Sequence, residues 1–312
     1  MKPRLSFVIP AKNEAENLVL LYQEILAVLK KTKNEFEIIF VDDGSSDETW
    51  KVITKLRQED TQVAGIRHRG NFGKAIALAN GFAKASGDIV FTLDADLQDN
   101  PKEIPNFLSE FDEGYDLVIG WKRRRHDSWD KVVSSRLFNW FVSLTTGTKF
   151  HDINCGFKAY KKEVIMNINF GELFRLIPIL AAKQNYKIKE IPVDHRPRKF
   201  GKSKFGFERS IQGGLDLITV IFLTRFARRP AQFFGSLGLL CGFVGSLIGA
   251  YITYLRITTG GINYHLPLLF LGVLLIIVGV QFISTGLLAE MIINLNSIKS
   301  TPSNLLLLAS NF

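Results

Sequence analysis

Two long apolar runs near the C-terminus constrain this chain more than any other feature. Phe233–Ile257 holds one charged residue, Arg256, and Leu266–Ile293 holds one, Glu290. Inside a hydrocarbon core no water satisfies the backbone N–H and C=O groups, so a crossing segment must be a helix or part of a closed barrel. At ~1.5 Å rise per residue each run is long enough for a core of ~30 Å. The connection Arg256–His265 is short and contains glycine. Two antiparallel transmembrane helices are therefore expected, rather than the buried helical hairpin of a soluble protein. Gly235, Gly238, Gly242, Gly245 and Gly249 recur at spacings that let helices approach closely. Either the partner span or another subunit fills that face, and a homo-oligomer is expected.

Charge divides the chain in the same place. The net charge is +9, and beyond Ala231 the charged residues are Arg256, Glu290 and Lys299, so nearly all the positive charge lies in residues 1–230. A basic body beside membrane spans points to anionic lipid or phosphate rather than nucleic acid. Arg225, Arg228 and Arg229 precede the first span. By the positive-inside tendency they place the soluble part and both termini in the cytoplasm, with Arg256 opposing weakly. The expectation is a multi-pass protein of the cell inner (plasma) membrane. The N-terminus enters an apolar strand-like run almost at once, with no signal-peptide pattern. Cys155 and Cys241 are the only cysteines, one in the soluble part and one in a span, which argues against a disulfide framework. The five histidines show no zinc spacing. Phe207, Ile211, Leu215, Ile218 and Phe222 recur near helical spacing with polar residues between them, as in an amphipathic helix lying in the membrane interface, with a plain core helix as the alternative. The resulting division is a soluble domain over 1–206, an amphipathic helix over 207–230, a two-helix hairpin over 231–299 and a tail over 300–312.

Across residues 1–120, strand-like runs alternate with helical patterns, which predicts βαβ units and a mostly parallel sheet. The expected strands are Leu5–Pro10, Phe36–Asp42, Val63–Arg67, Asp88–Leu93 and Asp116–Gly120. Asn13 with Glu16, and Ser45 with Glu48, have capping-box spacing. Open α/β sheets bind ligands at the carboxyl ends of their strands. Three such ends carry polar groups: Lys12-Asn13-Glu14, Asp42-Asp43-Gly44-Ser45 and Asp94-Ala95-Asp96. The last is two carboxylates spaced i, i+2 after an apolar run. A hard divalent cation there could bridge to a diphosphate, because Mg²⁺ is usually held by one or two carboxylates plus substrate phosphates. Taken singly, each end could be ordinary turn chemistry; three in one sheet point to a nucleotide site. No Gly-x-Gly-x-x-Gly or Walker A sequence is present, which argues against a dinucleotide enzyme or a P-loop NTPase. Lys74, at the helix entry Asn71-Phe72-Gly73-Lys74, could reach a phosphate or simply face solvent.

These motifs together resemble the family 2 glycosyltransferases with a GT-A fold. The likeness rests on Val8-Ile9-Pro10-Ala11-Lys12-Asn13-Glu14, Val41-Asp42-Asp43-Gly44-Ser45, Arg69-Gly70-Asn71-Phe72-Gly73-Lys74 and Asp94-Ala95-Asp96-Leu97-Gln98. Asp152-Ile153-Asn154-Cys155-Gly156-Phe157-Lys158 and Arg198-Lys199-Phe200-Gly201-Lys202-Ser203-Lys204 narrow it to the polyprenyl-phosphate glycosyltransferases, and most closely the bactoprenol glucosyltransferases. The resemblance covers roughly residues 4–295. It implies an α/β, Rossmann-like GT-A domain followed by the interfacial helix and the two transmembrane helices. It also implies an inverting transfer of a sugar, glucose from UDP-glucose, onto polyprenyl (undecaprenyl) phosphate.

Carried over residue by residue, the resemblance places Pro10, Ala11, Glu14, Asp42, Asp43, Lys74 and Asp94 around the nucleotide-sugar donor. Asp94 and Asp96 face the diphosphate, with Asp96 and Gln98 as ligands of Mg²⁺ or Mn²⁺. Arg198, Ser203 and Lys204, with Arg123 and Arg124 of the basic run Lys122–Arg125, take the acceptor phosphate; Asp94, Asp96 and Arg198 make up the catalytic set. Glu172, at the start of an expected helix Glu172–Lys183, either caps it or touches the sugar, and His151 is expected to be structural. Three rivals stand beside this reading. A processive polysaccharide synthase would carry Gln-x-x-Arg-Trp and more spans, and neither is present. A different donor, GDP-mannose or a UDP-amino sugar, depends on pocket shape. A non-catalytic lipid-binding scaffold is disfavoured because the metal carboxylates are intact.

Overall fold

The computed structural model describes residues 2–122, 143, 150–168, 171, 174–196, 222, 226, 229–260 and 265–300. The chain divides into two compact units, 1–220 and 221–312. The helix expected over Phe207–Phe226, and Glu172, fall essentially outside the described residues.

The first unit carries β1 (Leu5–Ala11), α1 (Ala15–Thr32), β2 (Phe36–Asp42), α2 (Thr49–Glu59), β3 (Val63–Arg67), α3 (Lys74–Lys84), β4 (Ile89–Thr92), α4 (Ile104–Asp112), β5 (Leu117–Lys122), β6 (Lys158–Lys161), α5 (Lys162–Asn167), α6 (Ile177–Lys183) and β7 (Ile188–Val193). The sheet order is β3-β2-β1-β4-β6-β5-β7. Every pairing is parallel except those of β6, which runs antiparallel to both β4 and β5. The chain winds outward from β1 through β2 to β3, then crosses back to β4 on the other side of β1. That reversal creates a crevice between the carboxyl ends of β1 and β4, where open α/β sheets bind ligands.

The five expected strands form within two residues of their predicted limits. They read as continuous apolar runs because helices cover both faces of such a sheet; β1, for example, is buried along all but one residue. β6 and β7 carry no such run. Lys158–Lys161 is four residues with lysine at both ends, and β7 contains Pro192. The helix expected over Glu172–Lys183 is, in its described part, a 3₁₀ turn Phe174–Leu176 followed by α6.

Four fully buried phenylalanines tie the middle of the sheet to α4. Phe7 stacks on Phe91 at 5.0 Å, Phe107 stacks on Phe157 at 4.3 Å, and Phe91 meets Phe107 edge-on at 5.9 Å. Burying each ring contributes about 1.5–3 kcal/mol. On the outer side, α1 buries Leu18, Leu21, Ile25, Val28 and Leu29, one stripe at helical spacing.

The second unit holds α7 (Pro230–Thr259) and α8 (Leu266–Ser300). Both are long and apolar enough to cross a membrane, and only 11% of each apolar window is buried. A core helix of a soluble protein would be mostly covered. Here Leu239, Phe243, Ile277 and Leu287 are exposed, as suits side chains facing lipid. Proline at the first turn of α7 occupies a position where a missing N–H costs nothing. The next backbone N–H, from Ala231, donates to Glu290 at 3.1 Å. The acidic residue of one span thus satisfies the helix start of the other, an end that favours negative charge.

The five glycines of α7 separate into two rows. A Cβ on Gly238 would lie 2.5 Å from the Gly279 carbonyl oxygen, and one on Gly245 would lie 2.7 Å from that of Gly272. A Cβ on Gly235, Gly242 or Gly249 would meet nothing within 4 Å. The packed row lets the backbones of α7 and α8 touch. Gly245→Leu is accordingly expected to destabilise the detergent-solubilised full-length chain by roughly 1–3 kcal/mol through overpacking, while Gly249→Leu stays within about 0.5 kcal/mol. Thermal melting compares them, and equal melting would remove the assignment of the packed face.

Candidate active site

The site is built at the carboxyl ends of β1, β2 and β4. After β1 the chain turns through Asn13, whose φ of 51° is in the left-handed region. Its backbone N–H donates to Ser45 Oγ at 2.9 Å, and its side-chain oxygen accepts from the Ser46 N–H at 2.8 Å. Glu14 N–H donates to Thr49 Oγ1 at 2.9 Å. Asn13 and Ser45 therefore bind the two strand-end loops to each other. This corrects the capping-box reading: α1 is preceded by Glu14 and α2 by Glu48, and it is Asp47 whose carboxylate accepts from the Thr49 N–H at 3.0 Å. The spacing fits a cap, but the pairing across the sheet wins because it satisfies both loops at once. Pro10 and Ala11 end β1 beside these loops, Pro10 half-buried and Ala11 buried.

Asp42 and Asp43 leave β2 buried and in different circumstances. Asp43 is saturated by protein: one oxygen accepts from the Phe72 N–H and faces His68 Nδ1, each at 2.9 Å, and the other accepts from the Gly73 N–H at 2.9 Å. It holds the 68–73 loop in place and so aims Lys74. Gly44, at φ 67°, lies under the same loop; a Cβ there would be 2.4 Å from the Gly70 carbonyl carbon. Asp42 Oδ1 accepts from the Ser45 N–H at 2.9 Å, while Oδ2 is buried with no hydrogen-bond partner and 3.7 Å from Arg67 Nε. A buried carboxylate oxygen without a donor is costly in a resting protein and suits a ligand N–H or O–H.

Beyond β4 the segment Asp94–Gln98 turns sharply. Leu97 has φ 63° and is buried, a conformation costing about 1–3 kcal/mol that concentrates at functional sites. The turn lets the Gln98 N–H donate to Asp96 Oδ1 at 3.2 Å. Asp94 is half-buried and ion-paired with Lys74, which lies over the Phe174 ring at 5.6 Å. Crowding pushes the Asp94 carboxyl up, but Lys74, with Lys122 and Lys158, outweighs this and holds it below the usual carboxylate range. Asp99 lies deeper, 2% exposed; its Oδ2 accepts from the Asp94 N–H at 3.2 Å and its Oδ1 is 3.8 Å from Lys122 Nζ. Burial raises Asp99 to about 6 despite Lys122. Burial also lowers the Lys158 ammonium to about 8 and raises the Cys155 thiol to about 12, leaving that thiol inert.

Of the neighbours of this turn, Gly156 and His195 were given no role by the sequence, while Arg196 falls in the basic stretch 196–204 expected at the acceptor phosphate. Gly156 lies against Asp94: a Cβ on it would be 2.6 Å from one carboxylate oxygen and 3.0 Å from the other. His195 and Arg196 follow β7 and close over Gln98, with His195 Nε2 at 3.5 Å from Gln98 Nε2 and the Arg196 N–H donating to Gln98 O at 3.0 Å. Arg196 also binds Glu24 at 2.7 Å and the Asn100 side chain. The signal of Gly156 and His195 was hidden because β6 and β7 lack apolar runs that would place them in the sheet. His151 stacks on Trp121 at 4.4 Å and pairs with Glu190 at 2.9 Å, a structural role. Arg123, Arg124, Arg198, Ser203 and Lys204 lie outside the described residues.

Among the described residues no three His, Cys, Asp or Glu side chains gather as a metal cage. The chemistry of the turn nonetheless fits a hard divalent ion. Asp96 supplies a carboxylate, and the Gln98 amide nitrogen is turned to His195 and the Arg196 carbonyl, which leaves its amide oxygen as the donor atom. Such a site is completed by substrate oxygens and water rather than by a full protein shell.

Residues 6–168 match glycosyl transferase family 2. The chain is 35% identical over 294 residues to the dodecaprenyl-phosphate galacturonate synthase of Rhizobium johnstonii, covering 92% of this chain and 87% of that one. It is 36% identical over 293 residues to the undecaprenyl-phosphate 4-deoxy-4-formamido-L-arabinose transferase of an Enterobacter species, covering 93% and 88%. Among solved structures, glucosyl-3-phosphoglycerate synthase from Mycobacterium tuberculosis, in complex with Mn²⁺ and UDP-glucose, superposes with a TM-score of 0.55 at 19% identity, covering 71% of this chain and 79% of that one. Mannosyl-3-phosphoglycerate synthase from Rubrobacter xylanophilus gives 0.54 at 18% identity, covering 70% and 72%. These two share the GT-A fold. The chain belongs to glycosyl transferase family 2.

If Gly156 seats the Asp94 carboxylate, Gly156→Ala must displace it. A misplacement near 1 Å costs about 100-fold in rate, so kcat for sugar transfer is expected to fall by that order while circular dichroism stays unchanged. Full activity in the alanine variant would mean Asp94 is not held there in catalysis.

Proposed function

We propose that this enzyme transfers a sugar from a nucleoside diphosphate to a polyprenyl phosphate, inverting the anomeric centre. The observation that carries the reading is the Asp94–Asp96 turn at the β1/β4 crevice, in a chain with two helices able to cross a membrane. The two polyprenyl-phosphate transferases aligned over more than nine-tenths of the chain support it. Glucose from UDP-glucose is the sugar expected from the sequence motifs; the relatives are named for galacturonate and a formamido-arabinose, and all three belong in the same test. The soluble unit faces the cytoplasm in this proposal.

At the nucleoside end, the open oxygen of Asp42 accepts a hydrogen bond from base or ribose, with Pro10, Ala11 and Glu14 alongside. Asp43 acts through the loop it holds, and Lys74 exchanges Asp94 for the diphosphate. Asp96 and Gln98 would hold Mg²⁺ or Mn²⁺, a Lewis acid for the departing diphosphate. The acceptor is a phosphate monoester with a second pKa near ~6, so it is largely dianionic at neutral pH and needs little help from a general base. What remains for the protein is to hold two anions together and aim one oxygen at the anomeric carbon. Lys122, Arg123, Arg124, Arg198, Ser203 and Lys204 are proposed for the acceptor phosphate, arginine offering two parallel hydrogen bonds and lysine a point charge.

The test is transfer to a short polyprenyl phosphate in detergent from labelled UDP-glucose, UDP-galacturonate, a UDP-amino sugar and GDP-mannose, with Mg²⁺, Mn²⁺ or chelator. Metal-dependent labelling of the lipid from one donor is the expected result; no labelling from any donor while nucleotide still binds would sink the reading. Asp96→Ala should abolish both transfer and the metal-dependent part of nucleotide binding. Arg198→Ala should raise KM for the lipid phosphate more than for the donor, and unchanged lipid dependence would remove Arg198 from the acceptor site.

A further inference from the structure

Lys158 is a buried lysine with no hydrogen-bond or ion-pair partner among the described residues. It opens β6, in register with Thr92 at the end of β4 and with Ile119 of β5, and is 3% exposed. Paired residues of an antiparallel ladder point to one face of the sheet, and residues two apart along a strand share that face. Thr92 and Lys158 are such a pair; two steps further lie Asp94 on one side and Gly156 on the other. The Thr92 hydroxyl donates to the Gly156 carbonyl at 2.9 Å, and the Asp94 carboxylate rests where the Gly156 side chain would be. The ammonium of Lys158 is accordingly felt by Asp94, Lys74, Asp152 and Cys155. Asp94 is already ion-paired with Lys74. Among the described residues no hydrogen bond or ion pair reaches Lys158 Nζ, whereas Lys74, Lys122 and Lys161 each have an acidic partner within 4 Å.

An ionised lysine buried without a partner costs several kcal/mol, and the central strand of a sheet could seat an apolar residue there instead. The position also has a direction. Asp42 and Asp43 end β2, Asp94 and Asp96 follow β4, and β6 lies on the far side of β4 from β2. A nucleotide sugar with its nucleoside at β2 and its diphosphate at the β4 turn extends its sugar end toward β6.

We propose that Lys158 is a donor-binding residue that takes an anionic oxygen at the sugar end of the nucleotide sugar. Two groups offer that chemistry: the phosphate oxygen nearest the sugar, and a carboxylate on the sugar itself. The inference rests on the nucleotide-sugar reading above, and the experiment separates the two. Binding of UDP, UDP-glucose and UDP-galacturonate to the full-length protein in detergent with Mn²⁺ is measured by calorimetry for the wild type, Lys158→Met and Lys158→Arg, together with the melting temperature without ligand.

Loss of one charge-assisted contact predicts roughly 10- to 100-fold weaker binding for Lys158→Met, largely restored by arginine, with ligand-free melting unchanged or raised because a lone buried charge is gone. Weakening for all three ligands assigns the diphosphate oxygen; weakening confined to UDP-galacturonate assigns the sugar carboxylate. Unchanged affinity for all three overturns the proposal. So does a loss that arginine does not restore and that accompanies lower ligand-free melting, the signature of a structural lysine. Wild-type protein that binds none of the three, nor GDP-mannose, defeats the nucleotide-sugar reading itself.

Discussion

The seat of the Asp94 carboxylate is the contact on which the rest of the site depends. A carboxylate at the end of a buried strand must be held without being neutralised. Here it lies against the bare backbone of Gly156, ion-paired with Lys74, with its own N–H donating to Asp99. Each partner comes from a different element: α3, the approach to β6, and the turn after β4. The antiparallel insertion of β6 between β4 and β5 makes this possible, because it carries Gly156 and Lys158 to the face from which Asp94 projects. A uniformly parallel sheet would have set another strand's apolar side chains there.

Around that seat, the same economy of backbone contact recurs. Asp43 spends both oxygens on the loop that delivers Lys74, and Asn13 and Ser45 lock the first two strand-end loops together. Among the described residues, two polar groups without a hydrogen-bond partner, Asp42 Oδ2 and Lys158 Nζ, belong to β2 and β6, on opposite sides of β4 in the sheet. An elongated ligand with hydrogen-bond donors at one end and negative charge toward the other complements that arrangement. In the second unit glycine serves a plainer purpose: Gly238 and Gly245 bring two helix backbones into contact, and Glu290 accepts from the Ala231 N–H at the start of its neighbour.

Much of this was legible in the residues. The first five strands announce themselves as apolar runs because both faces of the sheet are covered, and the polar residues that follow them mark the carboxyl ends, where open α/β sheets bind ligands. β6 and β7 were illegible for a related reason. Lys158-Ala-Tyr-Lys161 looks like a surface turn, since the pairing that buries Lys158 is with strands more than thirty residues earlier in the chain. The capping boxes misled because Asn13 and Ser45 have equally good partners across the sheet, which spacing alone cannot rank against local ones.

The sequence by itself determined the charged body followed by two long apolar segments, the positions of the first five strands, the family, and the carboxylates that follow β2 and β4. Those follow from local quantities: apolar run length, periodicity and the residues at strand ends. Only the tertiary structure decided which carboxylates are engaged and which are open, which glycines of the first span touch the second, and that Gly156, Lys158 and His195 stand beside the Asp94–Gln98 turn. These are properties of juxtaposition. They depend on sheet order, strand direction and register, and on side chains brought together from distant parts of the chain.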